Sequence, residues 1–180
     1  PFPDLEHRMR WFQQHALPLS LQSATKCIDG IISKGEITHL ITVSCTGMSA
    51  PGLELQLMEA MGLKEDTART AINFMGCYAA VHALKLAKYI CDSSEKANVL
   101  IVATELCSIH FQKEYTPDYA AGALLFSDGS ASVLISNQLP SPKKLRLKDF
   151  YSKVVYQGSR DMAWNISTKG FLIALSTYVP

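Results

Sequence analysis

The sequence has no Cys-x-x-Cys pair, no Gly-x-Gly-x-x-Gly turn, no P-loop pattern and no apolar run of membrane-spanning length. Each absence removes a class of function. Without paired cysteines or histidines at ligand spacing, a metal site is not expected. The missing glycine-rich loops exclude the two common ways of cradling a nucleotide phosphate. No segment is apolar for long enough to cross a bilayer as a helix, so no membrane role is expected. Charge of one sign is lacking too: 17 basic against 16 acidic residues leave a net +1, and no basic field is available for nucleic acid. The five cysteines (Cys27, Cys45, Cys77, Cys91 and Cys107) are odd in number, and no signal peptide accompanies them. That combination points to free thiols in a reducing, cytoplasmic setting. Pro1 replaces an initiator methionine and Pro180 closes an apolar segment, so the chain reads as a piece of a longer protein.

What remains is globular. An apolar fraction of 48% and a charged fraction of 18% over 180 residues suffice for a single domain, residues 1–180, with a sizeable core. Helical spacing runs from Asp4 to Lys34, with Pro18 expected to break it and Gly35 to close it. His39–Ser44 reads as a strand, Leu53–Met61 as a helix closed by Gly62, and Thr67–Asn73 as a second strand. A helix then runs to about Cys91, with Val81, Leu84, Ala87 or Lys88, and Cys91 on its apolar side and His82, Lys85, Tyr89 and Asp92 opposite. The unbroken apolar run Asn98–Thr104 predicts a central strand covered on both faces, and Ala131–Ser136 another strand after the Ser127-Asp128-Gly129 turn. Lys143–Lys148 reads as the solvated start of an antiparallel edge strand over Leu145–Tyr156, and Met162–Thr177 as a helix. Alternating strands and helices predict an α/β fold: a mixed, mostly parallel sheet with helices on both faces.

One cysteine stands out. In Thr70-Ala71-Ile72-Asn73-Phe74-Met75-Gly76-Cys77-Tyr78-Ala79-Ala80 an extended run meets Gly76, and small residues start a helix straight after Cys77. This places the thiol at a helix N-terminus, where unpaired backbone N–H groups and the dipole favour a thiolate, a good nucleophile for acyl thioesters.

Gly76-Cys77-Tyr78-Ala79-Ala80 resembles the nucleophile motif of the type III polyketide synthases, the chalcone synthase-like branch of the thiolase superfamily. The resemblance continues in order through Ile37–Ile41, Thr46-Gly47 to Pro51-Gly52, Asn98–Glu105 and Gly122–Ala131, and covers roughly residues 20–180. It implies the N-terminal half of a thiolase-like protein. The implied activity is decarboxylative Claisen condensation of an acyl-coenzyme A starter with malonyl-coenzyme A, with both as substrates, no bound cofactor, and a homodimer. Cys77 would carry the acyl group. Phe126 matches a gate between the coenzyme A tunnel and the reaction cavity, while Cys45, Cys107, His110 and Gly122 match positions lining that cavity. Ala50-Pro51 matches a loop that reaches across the dimer, and an X-Pro bond there can be cis at little cost.

The departures also inform. Phe74-Met75 stands where plant members have a glutamine pair, and Cys107 and His110 replace threonines, which suggests a microbial member with another starter. The family's catalytic His and Asn belong to a C-terminal half absent from this chain, and none of His7, His15, His39, His82 and His110 sits in that motif. His82, more than a turn past Cys77, reads as a surface or interface residue. The chain alone is therefore expected to be inactive. Alternatives are a ketoacyl synthase III-like or hydroxymethylglutaryl synthase-like condensing enzyme, or a non-catalytic half that keeps the fold.

Overall fold

The computed structural model describes residues 2–139, 145–176 and 178. Its centre is a four-stranded sheet in the order β2-β1-β3-β4, built from β1 (His39–Ser44), β2 (Ala68–Asn73), β3 (Asn98–Glu105) and β4 (Gly129–Ser136). β1 pairs in parallel with both β2 and β3, and β4 runs antiparallel on β3. The sheet is thus mixed and mostly parallel, with the β3 run in its interior.

Helices cover both faces because successive side chains along β1 and β3 point to opposite sides. Leu40, Leu100 and Val102 pack against Ala24 and Ile28 of α1 (Leu5–Ile28) and Leu57, Met58 and Met61 of α2 (Leu53–Met61). Ile41, Val43, Val99 and Ile101 face α3 (Ala79–Ser93) on the other side. Gly62 ends α2 in the left-handed conformation at φ 64°, as a C-cap glycine should.

Several expectations need correction. Pro18 lies inside α1 rather than ending it. Its lost hydrogen bond is outweighed by a stripe of buried residues at four-residue spacing, Phe12, Ala16, Ser20, Ala24 and Ile28. α1 stops at Ile28, not Lys34, and Gly30 at φ 67° makes the turn expected of Gly35. On α3 Ala87 is buried as expected, but its stripe continues through Ala83 and Ala79, while Val81 is half exposed. Small residues win that face because they let the helix sit close on the sheet.

The C-terminal part differs most. No strand forms over 145–155, and Lys143 and Lys144 of the basic cluster lie outside the described residues. Met162–Leu175 is not a helix but an antiparallel hairpin, β5 (Met162–Ser167) and β6 (Gly170–Leu175), joined through Thr168-Lys169. Gly170 at φ 116° and Ser167, whose hydroxyl accepts the Lys169 N–H at 3.0 Å, set the turn; Thr177 lies outside the described residues. The β-branched and aromatic residues Trp164, Ile166, Phe171 and Ile173 suit a pleated surface better than a helix.

Candidate active site

β1, β2 and β3 all deliver their carboxyl ends to one edge of the sheet, where open α/β sheets commonly bind ligands. After β2 the chain bends sharply. Phe74 takes φ 55° and Gly76 φ 92°, both in the left-handed region, and Phe74 is held there with its ring edge-on to Phe171 at 5.2 Å. Cys77 follows on this turn, exposed, two residues ahead of the first residue of α3, and Tyr78 at the N-cap offers no side-chain hydrogen bond. No side chain caps the helix end beside the thiol; the Ala79 N–H is taken by the Gly76 carbonyl at 3.0 Å.

Two neighbours organise the turn. The Gly76 N–H donates to Cys45 Sγ at 3.2 Å, tying the nucleophile loop to the loop after β1. Glu105, ending β3, holds that loop in turn: its carboxylate accepts the Cys45 N–H at 2.8 Å and the Thr46 hydroxyl at 2.6 Å. Burial pushes the Glu105 carboxyl above its ordinary range, against these hydrogen bonds, which favour the charged form. Glu105 is hard to single out from sequence: its one signal is a lone carboxylate closing an apolar strand.

Beside this edge lies a cavity of about 430 Å³. Cys107, His110, Gly122 and Phe126 line it from one side, Trp164 and Phe171 of the hairpin from the other. Gly122 belongs to α4 (Pro117–Leu125), whose N-cap Thr116 hydroxyl accepts the Tyr119 N–H at 3.1 Å. A Cβ at Gly122 would come within 3.0 Å of Ile173, so the glycine lets α4 approach the hairpin. The hairpin wall was not foreseen, because a segment read as a helix could not be placed there.

The polar groups around the cavity are mostly committed elsewhere. Trp164 Nε1–H donates to the Cys45 carbonyl at 2.7 Å, and the Ser108 hydroxyl donates to Asp128 at 2.6 Å. The Cys107 thiol is pushed up to about 12 by burial, then by the negative charges of Glu105 and Asp128 and the neighbouring Cys77 and Cys45. It stays a neutral thiol. His110 lies buried, stacked on Phe171 at 4.2 Å and 10°, with its pKa driven down to about 4 by burial; the Thr46 bond opposes that shift and the Arg8 charge adds to it. The cavity thus presents aromatic and aliphatic surface with no charged side chain.

Four of the expected cavity residues, Cys107, His110, Gly122 and Phe126, come together here. Cys45 lies just behind the wall, bonded to Trp164, and Cys77 stands on the adjoining turn rather than in the lining. Ala50-Pro51 is a cis peptide on an exposed loop ahead of α2, away from the cavity. His82 is half-buried, edge-on to Tyr78 at 5.4 Å.

The profile of the family described as chalcone and stilbene synthases, N-terminal domain, matches residues 2–139. The chain belongs to this family. It is 26% identical, over 98% of its length, to the alpha-pyrone synthesis polyketide synthase-like Pks18 of Mycobacterium tuberculosis, covering 46% of that protein. Among solved structures it superposes on PKS-I of the brown alga Ectocarpus siliculosus with a TM-score of 0.91 at 26% identity, covering 99% of this chain and 48% of that one. With 1,3,6,8-tetrahydroxynaphthalene synthase of Streptomyces coelicolor A3(2), a bacterial type III polyketide synthase, the TM-score is 0.89 at 26% identity, with 99% and 51% covered. The fold is thus that of the type III polyketide synthases, and the chain spans about half the length of these relatives or less. As a chalcone and stilbene synthase-type domain it carries, among the described residues, no cluster of three metal-ligating side chains and no helix long and apolar enough to cross a membrane.

Proposed function

We propose that this chain is the nucleophile-bearing half, residues 1–180, of an acyltransferase that builds a polyketide from coenzyme A thioesters. The observation that carries the reading is Cys77: an exposed thiol on the turn between β2 and α3, at the carboxyl edge of a sheet of this family.

In this reading Cys77 Sγ attacks the carbonyl carbon of an acyl-coenzyme A, and coenzyme A leaves as the thiol with the proton that Cys77 gave up. Malonyl-coenzyme A then loses carbon dioxide, and the electron pair of the broken C–C bond becomes an enolate carbon. That carbon attacks the Cys77 thioester. The C–S bond breaks, the thiolate returns, and the acyl-coenzyme A product is two carbons longer. Negative charge develops on the thioester oxygen and on the enolate, and both need fixed donors. The family's His and Asn on a second half would supply them. His110 would not, because both of its ring nitrogens are held by backbone groups.

Phe126 would gate the cavity and Cys107, His110 and Gly122 would shape the acyl pocket, with Cys45 behind it. The Ala50-Pro51 loop, exposed in this chain, would meet the partner of a homodimer. The reaction needs no resident cofactor, and five free thiols fit a cytoplasmic setting.

The test uses the complete protein with an acyl-coenzyme A and malonyl-coenzyme A. The expected result is an acyl adduct on the Cys77 peptide after acid quench and a polyketide product, both absent in Cys77→Ala. Product formed by Cys77→Ala, or acylation confined to another cysteine, would overturn the reading.

A further inference from the structure

We propose that His110 is a positioning residue: as its Nε2–H tautomer it clasps the β5–β6 hairpin to the loop after β1, and so fixes the aromatic wall of the cavity. Its consequence for catalysis rests on the condensing role proposed above; the clasp itself rests on geometry. His110 Nε2 lies 2.6 Å from the Thr46 carbonyl oxygen, and Nδ1 lies 3.0 Å from the Phe171 backbone nitrogen. A carbonyl can only accept and an amide N–H can only donate. Nε2 therefore carries the proton and Nδ1 presents its lone pair. One tautomer satisfies both contacts, and an imidazolium satisfies only one of them.

The ring has nothing left to offer a substrate. The ring is packed by aromatic neighbours as well: Phe171 stacks on one face, and Trp164 meets it edge-on at 5.6 Å. The charged group facing it is Arg8 of α1; the Cys107 thiol and the Tyr119 phenol are the titratable groups sharing its cavity. Arg8 is itself buried, donating through Nη1 to the Ile109 carbonyl and through Nε to Pro3; no carboxylate among the described residues is in ion-pair contact with it, and the Asp4 charge acts on it from farther away. The buried positive charge of Arg8 opposes a second one next to it.

The hairpin is anchored twice, on consecutive carbonyls. Trp164 donates to Cys45 and His110 donates to Thr46, while Glu105 holds the Cys45 N–H and the Thr46 hydroxyl from below. Cys45 Sγ in turn receives the Gly76 N–H beside Cys77. The wall that would hold an acyl chain and the turn that would carry its thioester are thus referenced to the same three residues. Positioning of this kind changes how well an extended acyl chain is held more than how reactive the thiol is.

Nitrogen-15 spectroscopy of histidine-labelled chain tests the clasp directly. The expected signature is an unprotonated Nδ1, a slowly exchanging Nε2–H, and no titration of His110 between about pH 5 and 8. His110→Phe keeps the stack and removes both hydrogen bonds; His110→Gln can still donate and accept. Loss of a buried pairing should raise the Phe171 amide exchange rate roughly tenfold or more in His110→Phe, with protection restored in His110→Gln. In the complete enzyme, His110→Phe should raise KM for the acyl starter by roughly tenfold with kcat nearly unchanged, and His110→Gln should reverse most of it. An Nδ1–H tautomer, ordinary titration near neutrality, or unchanged Phe171 exchange in His110→Phe would overturn the clasp. The spectrum of the unmutated chain decides the matter even if a variant fails to fold. If the complete protein makes no polyketide while the tautomer and exchange pattern hold, the functional reading falls and the clasp stands.

Discussion

The Gly76 N–H donates to Cys45 Sγ at 3.2 Å, and the Cys45 thiol points back toward the Gly76 carbonyl at 3.7 Å. The residue before the nucleophile is thus held by a sulfur from a different loop, across the ends of two parallel strands. Gly76 at φ 92° needs such support, because a left-handed turn has no regular secondary structure to continue into.

Cys45→Ala should loosen this turn. Removing the acceptor leaves the Gly76 N–H unpaired, at a cost of about 1 kcal/mol. The expected outcome is a modest drop in the urea midpoint, faster exchange at the Gly76 amide, and a changed alkylation rate at Cys77. Cys45→Ser, which keeps an acceptor, should retain most of the wild-type behaviour. Identical Gly76 exchange in all three proteins would show that the contact does not hold the turn.

Thiol chemistry should separate the five cysteines. Cys77 is exposed, whereas burial raises the pKa of Cys27, Cys45, Cys91 and Cys107. The thiolate is the reacting form, so a raised pKa and restricted access act in the same direction. Limited iodoacetamide at pH 8 followed by peptide mapping should label Cys77 first, with Cys107, pushed up to about 12, last. Early labelling of Cys107 would contradict its buried place beside Glu105 and Asp128.

Acid stability should carry the mark of His110. Its folded pKa of about 4, set mainly by burial, lies below the ordinary value, so the unfolded chain binds a proton that the folded chain refuses. Stability contributed by the neutral ring is complete above the ordinary histidine pKa of about 6.5 and is lost as pH falls toward 4, on the order of 3 kcal/mol in all. Glu105 acts in the opposite sense. Its pKa is raised, so the folded state gains a proton first as pH falls through the window just above the ordinary carboxylate range. Denaturant unfolding at pH 7 and pH 4.5 should therefore show a steep loss in the wild type and a shallower one in His110→Gln. Equal slopes would mean that the buried imidazole does not govern this window.

The sheet was legible in the sequence because its signals are local. The apolar run of β3 reports a strand covered twice, Gly62 reports a helix end, and the junction before Ala79 places Cys77 on a turn. The cavity was reached through the family resemblance rather than through local signals. Of the residues that the resemblance implied, Cys45, Ala50, Pro51, Cys107, His110, Gly122 and Phe126, the last four line one space, and their role toward a substrate stays a proposal. The opposite wall was not legible. Trp164, Phe171 and Ile173 reach it only because a two-residue turn folds β6 back on β5, and an apolar stretch of that length fits a helical period as well as two short strands. Arg8 and Glu105 escaped for another reason. A charged residue usually reads as solvated, and only the tertiary structure reveals the backbone carbonyls and N–H groups that hold these two inside.

Gly170 joins the hairpin turn to the buried Arg8–His110 pair, and replacing it should be costly. Its φ of 116° is unfavourable for any residue with a Cβ, and a Cβ there would lie 2.7 Å from Arg8 Cδ, 2.8 Å from Arg8 Nε and 3.2 Å from His110 Nδ1. Arg8 cannot simply swing aside, since its Nη1 and Nε are held by the Ile109 and Pro3 carbonyls and its Nη2 is buried without a partner among the described residues. Moving it would break those bonds and disturb the His110 ring behind it. Gly30 provides the control: its φ of 67° is also left-handed, but nothing lies within 4 Å of a Cβ placed there. Gly30→Ala should therefore cost only the backbone strain, about 1 kcal/mol. Gly170→Ala adds overpacking against a fixed neighbour and should cost about 2–4 kcal/mol. Urea unfolding of the two variants measures the difference. If Gly170→Ala is no more destabilising than Gly30→Ala, the close approach of Arg8 and His110 to this turn is not what requires the glycine.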